Sequence, residues 1–418
     1  MKKIDPKWGA FIAIAFGPLM ATLDSSSVNV SLPIIARELH ASMSDIEWVV
    51  TSYLLAIGAF LLPLGRLGDQ WNKKKLFRIG LIAFTLSSLL CPFSQTVFQL
   101  IFFRVLQGMG GAIFMSIAPA LLVSSFPSSE RGRAVGMMGM TVSTGLMLGA
   151  PVGGLLTDYI SWKAIFLINL PIGVLGFFLA EKFLQEETHC TEEFRFLDFS
   201  LFKNRFFVGG NLSLLSYFIA LFILYFLTPF YLSDVLEYSP KKVGFVMMTF
   251  SLAFAVVTPI SGWLSDKVGS QILSPMGLAL AVVAYLCASQ LTAASTPKEV
   301  VLTLLFVGVA AGLFQAPNNS AILGAVKKSQ LGVASALIAT MRTFGTMLGV
   351  AIGTVFFTFF IQKASGVGGH FNVHELSPEL FIQGFKPTLW VAAAFALIGF
   401  CFSLMRGDTK RHHLVSNV

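Results

Sequence analysis

Two ionisable side chains of opposite charge interrupt long apolar runs of this sequence. Asp24 lies in "LDSSSVNVSLP" and Arg104 lies in "RVLQGMGGA", each within a run long enough to cross a bilayer. A charged side chain at the centre of a membrane helix costs about 3 kcal/mol on insertion scales, so each residue needs a partner. A carboxylate that pairs with a guanidinium binds protons less readily than one that has lost this partner. The two residues therefore predict a buried ion pair and reversible proton binding at Asp24.

The two charges are predicted at similar depths. Asp24 lies about nine residues before the predicted outer end of helix 1, and Arg104 lies about seven residues after the outer end of helix 4. At about 1.5 Å per residue these positions are roughly 13 and 10 Å deep. We expect the pair to form toward the outer ends of these helices, with Ser25, Ser26, Ser27 and Asn29 hydrating the acid.

The chain around these residues has the composition of an integral membrane protein. Hydrophobic residues make up 55% of its 418 residues, charged residues only 12%, and the mean hydropathy is +0.77. Soluble domains carry about 25% charged residues, and membrane strands need only about 10 residues. The sequence predicts an all-α membrane protein with twelve transmembrane helices. They are predicted near residues 9–32, 46–65, 76–95, 97–125, 132–156, 163–180, 206–227, 242–264, 273–291, 300–322, 332–361 and 388–405.

The net charge of +8 is explained by the orientation of the chain in the membrane and does not indicate nucleic-acid binding. Most of the 29 lysines and arginines fall in the N-terminal tail, the predicted inside loops, the central linker and the C-terminal tail. By the positive-inside rule both ends are expected in the cytoplasm. Cleavage of the first apolar run as a signal peptide is disfavoured, because an odd helix count would remain.

Other function classes have little support in the sequence. The four cysteines are scattered, and the histidines show no metal-ligand spacing. No nucleophile elbow or phosphate loop is present. We therefore expect neither an enzyme nor a bound metal or cofactor.

A charged segment divides the chain into two similar halves. It predicts a six-helix bundle over residues 1–180, a cytoplasmic linker over 181–205, and a second six-helix bundle with its tail over 206–418. "GRLGDQWNKKK", which begins at Gly65, recurs in the second half as "GWLSDKVGSQ". Repeated halves are typical of transporters whose substrate site lies between the repeats.

The repeated loop motif predicts a gate. Gly65 and Gly68 allow a tight turn, and Asn72 can take the left-handed backbone that glycine would otherwise supply. Asp69 can then pair with an arginine of the next inside loop. A solvated turn is the alternative, which the recurrence of the motif disfavours. The residues assigned to the gate are Gly65, Gly68, Asp69, Arg131, Arg133 and Asp266.

Helix 5 carries a glycine face. In "TGLMLGAPVGGLL", Gly145, Gly149 and Gly153 are four residues apart, and Pro151 removes one backbone hydrogen bond. Small residues at this spacing allow close helix approach. We expect this face to be where the two bundles slide, in addition to ordinary tight packing.

Polar residues inside the predicted helices mark a substrate pathway. Arg342 lies about ten residues into helix 11, where it can bind an anionic group or stabilise helix packing. The residues expected to line the cavity are Asn29, Gln107, Asn169, Gln315, Asn318 and Arg342. For Asn169, ordinary helix packing is the alternative.

Taken together, these motifs resemble the major facilitator superfamily, and in particular its drug:proton antiporter branches. "GRLGDQWNKKK" is similar to the loop 2–3 signature, "RVLQG" to the helix 4 signature and "GLMLGAPVGG" to the helix 5 antiporter signature. "LDSSSVNVSLP" with "EWVVTSYLLA" resembles the branch that usually has fourteen helices. The resemblance implies that Asp24 is the helix 1 acid, Asp69 the gating aspartate and Arg104 the arginine of proton coupling. Arg342 matches the family's helix 11 pattern.

Three features depart from that pattern. The linker is too short for the two extra central helices, Pro151 stands one place late, and the second half has no carboxylate in a helix core.

The expected function is export of small amphipathic molecules in exchange for protons, by alternating access, from the bacterial inner membrane. The expected partners are the substrate, protons and the lipid bilayer, with no nucleic acid and a functional monomer. The alternatives are export of a lipid-like or anionic metabolite anchored by Arg342, with weak or no proton coupling, and a non-transporting membrane sensor.

Overall fold

Twelve helices account for nearly all of the chain that the structure describes. A computed structural model describes residues 5–127, 130–185, 201, 203–327, 330–366 and 372–405. Within these ranges twelve helices are long and apolar enough to cross a membrane, and no strand occurs, so the predicted fold class is confirmed. The helices are α1 Pro6–Glu38, α2 Met43–Gln70, α3 Lys73–Leu90, α4 Val97–Ser125, α5 Arg131–Tyr159, α6 Ala164–Phe183, α7 Arg205–Phe230, α8 Pro240–Val268, α9 Ser270–Ala288, α10 Pro297–Gly324, α11 Leu331–Ser365 and α12 Pro378–Leu404. Most of the predicted linker lies outside the described residues.

The start of α12 differs from the prediction because a capping signal lies upstream of it. Ser377 is the N-cap: its Oγ accepts from the backbone N–H of Leu380 at 3.3 Å, and Pro378 takes the first helical position. Both residue types favour a helix start. α12 therefore begins ten residues before the predicted 388, and α11 continues to Ser365. The interval that the sequence predicts between helices 11 and 12 is therefore shortened at both ends.

The turn between α2 and α3 also differs from the prediction. Asn72 has φ −62° and ψ 110°, which is extended and not left-handed. Its Oδ1 accepts from the backbone N–H of Lys75 at 3.1 Å. Asn72 is thus the N-cap of α3, and a capping hydrogen bond supplies what a left-handed turn was expected to supply.

The helices form two compact units. Unit 1 contains α1 to α6 and the first residues of α8, and unit 2 contains α7, the rest of α8 and α9 to α12. In unit 1, a Cβ on Gly108 would lie 2.6 Å from the carbonyl oxygen of Tyr53. In unit 2, a Cβ on Gly308 would lie 2.5 Å from the carbonyl oxygen of Phe250. The same close helix contact therefore recurs at an offset of 200 residues.

The glycine face of α5 packs on α1 within unit 1. A Cβ on Gly149 would lie 2.6 Å from Ser26 Cβ, and one on Gly153 would lie 2.6 Å from Ser27 Cα. A Cβ on Gly145 would meet Thr22 in the same way. The expectation that these three glycines form a sliding surface between the bundles is therefore wrong. They fix α1 and α5 to one another, and Gly345, Gly349 and Gly353 of α11 face α7 in the same pattern.

Gly153→Ala is expected to lower the free energy of unfolding by about 1–3 kcal/mol, because the added methyl group forces apart two backbones in contact. Gly139→Ala on the same helix is the matched control, since nothing lies within 4 Å of its Cβ position. There the better helix propensity of alanine makes the change neutral or slightly stabilising. Unfolding by dodecyl sulfate in mixed micelles measures the change in free energy for both variants. Equal effects of the two substitutions would contradict the packing described above.

Candidate functional site

The predicted ion pair is present and fully buried. Arg104 Nη1 lies 2.6 Å from Asp24 Oδ2, and the two side chains are 1% and 0% exposed. Asp24 is the nineteenth of 33 residues in α1, because this helix continues six residues beyond its predicted end. The pair thus forms as predicted, but Asp24 lies near the middle of its helix and not toward its end.

The carboxylate of Asp24 accepts two further hydrogen bonds. Asn169 Nδ2 donates to Oδ1 at 2.7 Å, and Gln107 Nε2 donates to the same oxygen at 3.0 Å. Gln107 also donates to Ser88 Oγ at 2.7 Å. Hydrogen bonds from amide donors to a carboxylate are charge-assisted and stronger than those between neutral groups. Gln107 and Asn169 are both 0% exposed, so the expectation that they line an open cavity is wrong for this structure.

Arg104 has partners that do not depend on Asp24. Its Nε donates to the carbonyl oxygen of Val49 at 3.0 Å, and its Nη1 donates to Gln107 Oε1. Its guanidinium carbon lies 4.0 Å from the centre of the Tyr53 ring, a cation–π distance. Arg104 is therefore fixed to α2 and α4 even if its bond to Asp24 is lost. The cluster joins α1, α2, α3, α4 and α6.

Ser26 and Ser27 donate to α5, and not to Asp24 as the expected hydration of the acid would require. Ser26 Oγ donates to the carbonyl oxygen of Leu146 at 3.0 Å, and Ser27 Oγ donates to that of Gly149 at 2.8 Å. These carbonyls are accessible because glycines bring the two backbones together. The serines therefore strengthen the α1–α5 contact.

The other predicted cavity residues differ in exposure. Asn29 is buried and has a bonding partner, and Asn318 Nδ2 donates to the carbonyl oxygen of Gly210 at 3.3 Å. Gln315 and Arg342 are half-buried. Arg342 forms no hydrogen bond or ion pair with a residue in the described ranges. Of the six, Gln315 and Arg342 are the ones that remain partly exposed.

The predicted gate is described only in part. The side chains of Asp69 and Arg131 lie outside the described ones, so their pairing stays a prediction. Gly65 and Gly68 face α4, where a Cβ on Gly68 would lie 3.1 Å from Ile117 Cγ1. The guanidinium of Arg133 lies 5.4 Å from the Trp8 ring, and Asp266 is exposed.

The sequence reasoning missed a second buried carboxylate. Glu47 in α2 is 8% exposed, and it has a bonding partner. It stands alone in the apolar run "IEWVVTSYLLA", which was the available signal. Among the carboxylates whose side chains the structure describes, Asp24 and Glu47 are the only buried ones, and both lie in unit 1. Proton binding therefore has two candidate positions and not one.

Comparison with known proteins places this architecture among transporters. The family model described as Major Facilitator Superfamily matches residues 14–350. The riboflavin transporter RibZ of Clostridioides difficile is 30% identical over 94% of this chain and 96% of its own length. Multidrug resistance protein 3 of Bacillus subtilis is 26% identical over 84% of this chain and 80% of its own. A bacterial homologue of the human lysosomal transporter Spinster superposes with a TM-score of 0.79 at 17% identity, covering 97% of both chains, which shows a shared fold.

Proposed function

Since this chain is a transporter that belongs to the Major Facilitator Superfamily, we propose that it exports small amphipathic compounds in exchange for protons. The observation that carries the proposal is the Asp24–Arg104 pair, which is buried and forms hydrogen bonds to two helices besides its own two. A buried charge pair is weak support for stability alone, whereas intramembrane ionisable residues mark proton relays.

Protonation of Asp24 would weaken one helix contact of this cluster and leave the others in place. It removes the charge that holds α1 to Arg104, while Arg104 keeps its bonds to Val49 and Gln107. α1 remains tied to α5 through Ser26 and Ser27. Proton binding thus loosens the α1–α5 pair from α2 and α4. Antiport follows if substrate and proton compete for the state in which the pair is open.

The names of the relatives support transport of an organic solute. The Bacillus protein is named for multidrug resistance, which favours amphipathic drug-like substrates. The Clostridioides protein is named for riboflavin, and this match extends over nearly all of both chains. A riboflavin-like or anionic metabolite is therefore the second candidate, with little proton coupling. Its anchor would be Arg342, which has no ion pair with a described residue.

We further propose that the protein lies in the bacterial inner membrane as a functional monomer with both termini in the cytoplasm. The basic inner loops and tails favour this orientation.

A transport assay with a compound panel tests the proposal. Everted membrane vesicles that contain the protein are given amphipathic cationic dyes and riboflavin, with and without a proton gradient. The first proposal expects dye accumulation that a protonophore abolishes. Riboflavin transport that is independent of pH and is lost in Arg342→Ala, but not in Asp24→Asn, would favour the second candidate. Absence of gradient-driven transport for every amphipathic compound would refute the first.

A further inference from the structure

A cleft of about 250 Å³ opens at the beginning of α3, away from the Asp24–Arg104 cluster. It combines three cationic side chains with one amide and two isoleucines. The residues that line it are Asn72, Lys74, Lys75, Arg78, Ile79 and Ile82. The transport cycle proposed above gives no role to this combination of charge and apolar surface.

The cations of the cleft are only partly neutralised. Arg78 Nη1 lies 2.6 Å from Glu181 Oε2, and Lys74 Nζ donates to the backbone oxygen of Glu181 at 2.9 Å. The guanidinium of Arg78 also lies 4.7 Å from the centre of the Phe177 ring. The ammonium group of Lys75 has no partner among the described residues. The carboxylate of Glu181 therefore serves two of the three cations, and the third has no counter-charge among the described residues.

An apolar column continues from the cleft along α3. Ile79, Ile82, Leu86 and Leu90 are 38%, 43%, 56% and 40% exposed. Their spacing of three or four residues puts them on one side of the helix. Since α3 has the length and composition of a membrane span, this side faces lipid chains. The positive charges of the cleft thus lie at one end of the apolar column of α3, along which lipid acyl chains can pack.

The second half of the chain shows that a helix at this position does not need the charges. α9 follows the repeated loop motif as α3 follows the first, and Ile272, Met276 and Val283 form a comparable exposed column. No residue of α9 is charged. α9 therefore takes its place without a basic residue of its own, and the charges of α3 are available for a role in addition to orientation.

We propose that this cleft is a binding site for an anionic phospholipid of the surrounding bilayer. Lys75 and Arg78 contact the headgroup phosphate, and the positive end of the α3 dipole adds to the attraction. The acyl chains lie along the isoleucines and leucines of α3. Basic residues at a membrane surface favour anionic over zwitterionic lipids by a factor of about five for each charge.

Native mass spectrometry of the full-length protein from mixed micelles tests the site. The probes are phosphatidylglycerol and phosphatidylcholine with identical acyl chains. The natural protein is expected to retain phosphatidylglycerol preferentially, and the preference is expected to weaken at high salt. Lys75→Gln with Arg78→Gln lowers the apparent affinity for phosphatidylglycerol roughly 30-fold. Lys75→Gln alone lowers it about fivefold, and this change removes no contact with a described residue.

The matched control removes two exposed lysines elsewhere. Lys298→Gln with Lys363→Gln gives the same net charge and is expected to leave the lipid preference unchanged. An equal loss in this control would overturn the proposal, as would equal retention of the two lipids by the natural protein. Inorganic phosphate is the third probe. Millimolar phosphate could displace the lipid completely and raise the thermal midpoint of unfolding as much as phosphatidylglycerol does. In that case the site would be a phosphate site and the lipid proposal would fail.

Discussion

Arg104→Met is expected to lower the free energy of unfolding by about 3–5 kcal/mol, and Asp24→Asn in the same chain is expected to restore most of that loss. Removal of the arginine leaves Asp24 as an uncompensated charge that is 0% exposed. Asparagine at position 24 removes this charge but keeps an oxygen that accepts from Gln107 and Asn169. The double variant is therefore more stable than Arg104→Met alone.

Unfolding by dodecyl sulfate in mixed micelles measures this coupling as a double-mutant cycle. Arg205→Met, at the exposed start of α7, is the control for loss of an arginine and is expected to change stability by about 0.5 kcal/mol or less. If the double variant were as unstable as Arg104→Met, the energetic description of the pair would be incorrect.

Asp24→Asn alone is expected to abolish the effect of a proton gradient on transport while exchange of substrate continues. At one proton per substrate, a gradient of about 2 pH units sustains roughly 100-fold accumulation, since each unit is worth about 1.4 kcal/mol. In the variant, the substrate concentrations on the two sides of the membrane are expected to become equal, a ratio of about 1. Counterflow of labelled substrate in proteoliposomes shows that the variant is folded and still binds.

Glu47→Gln is the matched control for Asp24→Asn, because Glu47 is the other buried carboxylate of the described residues. Gradient-driven accumulation is expected to survive in Glu47→Gln. The reverse result, with loss at Glu47 and retention at Asp24, would assign proton coupling to α2 and not to α1.

The parts of this structure that follow from local apolarity could be predicted from the sequence. Twelve apolar runs gave twelve helices, and two lone opposite charges gave one ion pair, since an unpaired charge in lipid is unfavourable wherever it stands. The start of α12 was also encoded locally, in Ser377 and Pro378, but the apolar run that follows gave the stronger signal.

The partners of neutral polar groups could not be predicted in the same way. Asn169 and Gln107 were expected to face a cavity, and the serines near Asp24 were expected to hydrate it. A buried amide or hydroxyl needs a hydrogen bond, but many backbone and side-chain groups can provide it. Which one does so depends on helix rotation and on contacts such as that of Gly149 with α1. Sequence spacing alone does not determine these contacts.

The 80 residues that separate the two members of the ion pair have a consequence for biogenesis. At about 5–20 residues per second, the ribosome completes Asp24 about 4–16 s before Arg104. During that interval α1 carries an unpaired carboxylate that is unfavourable in lipid. We therefore expect α1 to remain beside the translocon or an insertase until α4 arrives. Crosslinking from α1 to these components in stalled nascent chains should end when Arg104 emerges, and Asp24→Leu should release α1 earlier.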